Sequence, residues 1–190
     1  HTPVGILGAG RLGQAMARTA LRAGRPVVIA NSRGPESLTS VVAALGDDAS
    51  AETVADAAAA RIVVIAVPWA SVPDALAGLQ WNGQIVVDAT NYWPPVDGHI
   101  TAIDEDARTT SEINAARNPL ARVVKSLNHL GYHEMEDDSM DAGSPLRRAL
   151  AVVGEDADAR AVIARIIDDL GFDAVDGGPL ANGRALEPGH

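Results

Sequence analysis

A doubly wound α/β fold with a mainly parallel sheet is what the 190-residue sequence predicts, on three observations. Apolar runs at 4–7, 26–30, 62–67 and 85–89 lack period-two alternation, the pattern of strands covered on both faces. Segments with helical spacing separate these runs, so strand and helix alternate as a parallel sheet requires. The first run also ends in a glycine-rich turn that opens directly into an amphipathic segment.

The elements follow in order. After the strand at 4–7, Leu12, Ala15, Met16, Thr19, Ala20 and Ala23 recur at helical spacing, and Gly24 is placed to stop that helix. A strand at 26–30 (PVVIA) precedes a helix over 35–45, bracketed by Gly34 and Gly46, and the alanine-rich stretch 51–60 has helical propensity. The strand at 62–67 (IVVIAV) stops at Pro68, a short helix covers 72–79, and 85–89 (IVVDA) is a further strand. Residues 91–103 carry Pro94, Pro95 and Gly98 and read as a loop.

The second half is less regular. A helix is expected at 111–116, a strand at 122–127, an acidic exposed loop or weak helix at 134–145 and a strand at 150–153. Val162, Ile163, Ile166, Ile167 and Leu170 form a helical stripe before a last strand near 172–175. With no internal repeat and no long linker, residues 1–190 read as a single domain whose C-terminal end is open to extension.

Composition narrows the function. Hydrophobic residues at 47% and charged residues at 21% argue against disorder, and 3% aromatics leave the core to Ala, Val, Leu and Ile. The absence of cysteine excludes a disulfide framework, a thiolate metal site and a cysteine nucleophile. No apolar run reaches spanning length and no leader pattern opens the chain, so a cytoplasmic protein with no membrane partner is expected. A net charge of −10 argues against nucleic acid. Yet residues 1–35 hold Arg11, Arg18, Arg22, Arg25 and Arg33 and no acid, which suits a small anion.

Gly8, Ala9, Gly10, Arg11, Leu12 and Gly13 form a G-x-G-x-x-G match set between a strand and a helix, the context that makes it a dinucleotide fingerprint of Rossmann type. Gly8 permits the tight turn, Gly10 lets the backbone approach a pyrophosphate, and Gly13 lets helix and strand pack. The helix N-terminus offers unpaired N–H groups and partial positive charge to the phosphates. An NAD site places a carboxylate at the end of the second strand; here the chain reads Ala30, Asn31, Ser32, Arg33, Gly34. A carboxylate would repel a 2′-phosphate, whereas the Ser32 hydroxyl and the Arg33 guanidinium would bind one, so NADP(H) is the expected cofactor.

The segments GAGRLG, IANSRGPESL, VIAVPWASV, DATNYW, VVKSLNHLG and GPLANGR, in that order, resemble the NADP oxidoreductases that use the 8-hydroxy-5-deazaflavin coenzyme (F-420). The same fold family includes the reductase domains of membrane ferric reductases. The resemblance implies that residues 9–12 contact the pyrophosphate and that Asn31, Ser32 and Arg33 hold the 2′-phosphate end. It implies further that Val67, Pro68 and Trp69 line the ribose and nicotinamide region, joined by Thr90 and Asn91. Leu180 and Asn182 would close the site from the C-terminal segment. A homodimer is a common assembly in this family.

Dehydrogenases with a similar first domain append a long helical substrate domain, and none is expected within these 190 residues. A nicotinamide in an open cleft suits a large planar acceptor, a deazaflavin or flavin, because hydride transfer between stacked rings needs orientation and little acid–base help. The chain departs from the family pattern at residues 125–133, where Lys125, the only lysine, Asn128 and His129 are candidate substrate contacts. Two rivals stand beside this reading. One is a reductase of a small carbonyl or imine, with Lys125 or His129 as the catalytic proton donor; the other is an NADP-binding sensor without turnover. His129 and His133 could share a helical face, but Gly131 lies between them and no third ligand is fixed by spacing, so no metal is expected. Asp88 reads as a loop anchor, Trp69 as the candidate for stacking near the ring, Trp81 as packing and Trp93 as the rim.

Overall fold

The computed structural model describes residues 2–189. Its centre is an eight-stranded sheet: β1 (Val4–Leu7), β2 (Val27–Ala30), β3 (Ala49–Ala51), β4 (Ile62–Ile65), β5 (Ile85–Asp88), β6 (Arg122–Lys125), β7 (Ala149–Gly154) and β8 (Asp173–Gly178). The strand order is β3-β2-β1-β4-β5-β6-β7-β8, and every neighbouring pair is parallel except β6 and β7. The order reverses direction between β1 and β4, and the carboxyl ends of those strands are where an open α/β sheet receives a ligand.

Every residue of β1, β4 and β5 is buried, which accounts for their unbroken apolar runs. On one face α1 (Arg11–Arg22), α8 (Tyr132–Asp137) and α9 (Ala157–Asp169) cover Ile6, Val64, Val87, Val124 and Val152. Thr19 of α1 donates through Oγ1 to the Met135 carbonyl of α8 at 3.2 Å, joining the two helices. On the other face α3 (Val54–Ala58), α4 (Val72–Leu76), α7 (Thr110–Arg117) and the 3₁₀ turn Leu180–Leu186 cover Leu7, Ile65, Val86, Val123 and Val153. Asp88 and Lys125 lie on this second face.

Several expected elements shift. The 35–45 segment opens as a 3₁₀ turn at Pro35–Leu38, led in by Gly34 at φ 90°, before α2 (Thr39–Leu45). The stretch expected to be helical over 51–60 begins instead as the end of β3, and only Val54–Ala58 is helix, capped by Thr53. The proline-bearing loop holds two one-turn helices, α5 (Pro94–Asp97) and α6 (Thr101–Asp104). The acidic segment begins as α8, whose N-cap Gly131 is held by the Glu134 carboxylate. The last strand starts at Asp173 and reaches Gly178; it is an edge, and Asp173 and Asp176 put charge on it. Among the described residues no helix is long and apolar enough to cross a membrane.

Candidate functional site

A cavity of about 750 Å³ opens over the carboxyl ends of β1, β2 and β4. Its floor is the fingerprint turn, Gly8, Ala9 and Gly10, and its far end is Asn31 and Ser32. Val67, Pro68 and Ser71 form the wall beyond β4.

Each fingerprint glycine has its own steric reason. Gly8 sits at φ 117°, and a Cβ there would lie 2.4 Å from the Ala66 carbonyl oxygen. At Gly13 a Cβ would stand 1.9 Å from the Gly8 carbonyl oxygen, so only glycine lets α1 cross the turn this closely. At Gly10 a Cβ would meet no protein atom within 4 Å. The space beside Gly10 is therefore open cavity, and it adjoins the first turn of α1, which carries no acidic side chain and no side-chain cap. Unpaired N–H groups and the positive end of a twelve-residue helix face an opening where a pyrophosphate fits. Gln14 holds the Ala9 carbonyl at 2.9 Å, fixing the turn. Arg11 lies at the mouth, donating to the Tyr132 hydroxyl at 3.1 Å with its guanidinium 5.6 Å from that ring's centroid.

At the end of β2, Asn31 turns its carboxamide inward: Oδ1 accepts the Arg33 N–H at 2.9 Å and Nδ2 donates to Ser37 at 2.9 Å. This Asx turn exposes Ser32 and Arg33, and among the described residues the Arg33 guanidinium makes no ion pair. An exposed hydroxyl beside a guanidinium that makes no ion pair among the described residues, with no acid at residues 30–34, is an arrangement that can grip a phosphate.

The region after β4 and β5 departs from expectation in one respect. The Trp69 ring is 2% exposed, tilted against Tyr92 at 5.5 Å between centroids, and its Nε1 has no partner. It offers no face for stacking, so this segment borders the cleft through Val67 and Pro68 instead. Asp97 accepts N–H groups from both Ala70 and Trp93, fastening the loop after β5 to the turn after β4. That loop leaves Trp93 52% exposed. Trp81 packs as expected, 7% exposed, donating to Asn118.

The C-terminal ends of β5 and β6 carry a buried polar cluster. Asp88 and Lys125 are register partners and neither is exposed. Asp88 Oδ1 accepts the Thr90 N–H at 3.0 Å and the Thr90 hydroxyl at 2.6 Å; Oδ2 accepts from Ser111 and Asn114, each at 2.8 Å. Burial alone would raise the Asp88 pKa, but the Lys125 charge and these hydroxyl and amide donors outweigh it and hold it below the ordinary carboxylate value. Lys125 Nζ donates to the Thr90 carbonyl at 2.9 Å. Asn91 and Asn128 exchange hydrogen bonds, and Asn128 also donates to the Leu186 carbonyl at 2.7 Å.

Two candidate proton donors are thereby committed. Lys125 is an interior residue, not a substrate contact. His129 accepts the Ala151 N–H at Nε2, 3.1 Å away, which puts any neutral-ring proton on Nδ1. Burial, then the Arg148 and Lys125 charges, lower its pKa from the usual histidine value. The His133 ring lies against Tyr132, with centroids 4.0 Å apart and the planes tilted by 40°. Leu180 is a core residue at 2% exposure and presents no group to the cleft; Asn182 is exposed, its Nδ2 donating to the Gly177 carbonyl at 2.7 Å. Sequence reasoning missed the Asn128–Leu186 link and the role of Ser111 and Asn114. The only available signal was the polarity of an otherwise amphipathic α7 face.

The comparisons agree with this geometry. Residues 3–92 match the model of a family described as NADP oxidoreductase coenzyme F420-dependent. A hypothetical protein of Sinorhizobium meliloti is 38% identical with a TM-score of 0.84, covering 96% of this chain and 88% of that one. A protein of Arthrobacter sp. FB24, proposed to be an F420-dependent NADP-reductase, is 27% identical with a TM-score of 0.83, covering 98% and 89%. An imine reductase of Pseudomonas sp. has a TM-score of 0.70 at 20% identity; it shares the fold over 97% of this chain but only 59% of its own. No curated protein is similar to the chain at a significant level.

Proposed function

This chain belongs to the family of NADP oxidoreductases described as coenzyme F420-dependent, and from that premise we propose that it passes hydride between NADPH and a deazaflavin or flavin-type acceptor. NADPH supplies the hydride from its nicotinamide ring, and the protein's part is to bind, orient and leave one ring face open. The first turn of α1 and the open space at Gly10 take the pyrophosphate. Ser32 and Arg33 take the 2′-phosphate, Val67 and Pro68 border the nicotinamide end, and Thr90 and Asn91, just beyond the end of the neighbouring strand β5, are assigned beside them.

One observation carries the choice of acceptor. Reduction of a carbonyl or imine needs a proton donor at the reacting carbon or nitrogen. The two side chains the sequence offers for it are committed elsewhere, Lys125 to the Thr90 carbonyl and His129 to the Ala151 N–H. Transfer between two planar rings needs orientation rather than a protein acid. The exposed Trp93, on the loop after β5, is suited to a broad aromatic partner. A cytoplasmic location belongs to the same reading.

The test is absorbance-monitored NADPH oxidation against the deazaflavin coenzyme, FMN and FAD, with a ketone and a cyclic imine as competitors. Turnover with one of the planar acceptors supports the proposal. Turnover with ketone or imine alone overturns it in favour of a reductase of small carbonyls or imines. Tight NADPH binding with no turnover on any of the five overturns it in favour of a sensor.

A further inference from the structure

The proposed chemistry makes no direct use of the most deeply buried charges in the molecule. Lys125 is the only lysine in a chain that otherwise takes its positive charge from arginine, and it is fully enclosed beneath α7 and the 180–186 turn. Its ammonium does not pair directly with Asp88. Instead the two opposite charges grip the two ends of one residue: Asp88 accepts the Thr90 N–H, and Lys125 donates to the Thr90 carbonyl. Asp88 is itself held by Ser111 and Asn114 of α7. Thr90 is thus fixed at both its peptide groups, and with Asn91 it lies beyond the end of β5, beside the Val67 and Pro68 that follow the neighbouring strand β4 and line the cavity.

The segment after β6 that holds Asn91 is itself fixed by backbone strain. Leu127, two residues beyond Lys125, has φ 63°, a left-handed conformation that costs a branched residue about 1–2 kcal/mol. That turn faces Asn128 toward Asn91 and the Leu186 carbonyl. Buried charges are a poor source of net stability, since apolar replacements of similar volume do as well or better. Stability therefore does not account for this arrangement, whereas a unique geometry for Thr90 and Asn91 does. A lysine suits the position because a compact ammonium donates to a single carbonyl, where a planar guanidinium would need several acceptors.

We propose that Lys125 and Asp88 are positioning residues that hold the Thr90–Asn91 wall against which the nicotinamide ring is oriented. This rests on the reading of the cleft as an NADP(H) site. The adenine and 2′-phosphate end, built on Gly10, Ser32 and Arg33, lies on other strands and is independent of the pair.

The test uses the full chain as Lys125→Met, Asp88→Asn and the double variant. The double variant removes both buried charges together, so it is expected to fold even where a single variant does not. NADPH affinity is expected to stay within threefold of wild type. The nicotinamide emission of bound NADPH, which reports the surroundings of that ring, is expected to lose its enhancement. With the planar acceptor the wild type uses, kcat should fall at least tenfold and the deuterium isotope effect from 4-deuterated NADPH should rise. Lys125→Arg should not rescue either readout. The single lysine also permits a measurement on wild type alone: labelled at Cε, it gives one NMR signal, expected to move on saturation with NADP⁺. A double variant that matches wild type in emission, kcat and isotope effect, or a lysine signal that does not move, overturns this inference alone. A wild type that binds no NADPH overturns the reading of the cleft and the inference with it.

Discussion

Asn91 and Asn128 hold each other across the ends of neighbouring strands: Asn91 Nδ2 donates to the Asn128 carbonyl at 2.7 Å, and Asn128 Nδ2 donates to Asn91 Oδ1 at 2.9 Å. The same Asn128 amide reaches the Leu186 carbonyl at 2.7 Å, so one side chain joins three segments far apart in sequence. Asn128 is 5% exposed, and truncation would leave two partly buried acceptors without this donor. Asn128→Ala is expected to cost about 1–3 kcal/mol in urea unfolding. Asn128→Asp should be no better, because a carboxylate would face the same two acceptors.

If NADP(H) binds as proposed, Arg33 sets cofactor choice without touching the fold. Its side chain is exposed and makes no ion pair among the described residues, so Arg33→Ala should leave the melting temperature unchanged. NADPH binding should lose about 1.5–3 kcal/mol, roughly ten- to a hundredfold in Kd. NADH binding should be unaffected. Calorimetric titration with both cofactors checks this, and an equal loss for NADH would mean that Arg33 acts on something other than the 2′-phosphate.

The sheet and the glycine turn that opens α1 were legible because their signals are local. Buried parallel strands announce themselves as apolar runs, and the fingerprint glycines lie within six consecutive residues. What was not legible depends on distant contacts or on very short elements. β3 is only Ala49–Ala51, with no apolar signature, so the helical propensity of the alanines after it dominated. Trp69 read as a stacking surface because it follows a strand end, but Tyr92 of the next loop covers it. Lys125 stood out as the only lysine, yet its partner, the Thr90 carbonyl, comes from 35 residues away. No local pattern separates a lysine that reaches a substrate from one that reaches a carbonyl.

His129 gives the fold a pH dependence of definite sign. Its pKa in the folded chain lies below the ordinary 6.5, chiefly through burial. As pH falls, the unfolded chain therefore takes up the proton first, and protonation favours unfolding. The contribution is fully present above pH 6.5 and is lost as pH falls from there through the depressed folded value. The buried Asp88, also depressed, loses its contribution only below the ordinary carboxylate range. Melting curves should therefore show a first decline that begins as pH falls through about 6.5, separate from a second in the carboxylate range. His129→Gln, whose carboxamide oxygen can still accept from Ala151, should flatten the first decline and leave the second.

Gly10 and Gly13 stand three residues apart in one motif but answer to different physics. A Cβ at Gly13 would be driven into the Gly8 carbonyl at 1.9 Å, backbone against backbone, with no flexible side chain to yield. Gly13→Ala must push α1 away from the turn, and it should lower the melting temperature and NADPH affinity together. A Cβ at Gly10 meets nothing within 4 Å, and Gly10 has an ordinary extended backbone at φ −74° and ψ −172°. Gly10→Ala should therefore leave stability within about 0.5 kcal/mol of wild type. Its methyl group would still stand in the space assigned to the pyrophosphate, so NADPH affinity should fall at least tenfold. Melting curves and cofactor titrations on the two variants separate a glycine needed by the fold from one needed by the ligand. If Gly10→Ala bound NADPH as wild type does, the pyrophosphate would have to lie elsewhere in the cavity.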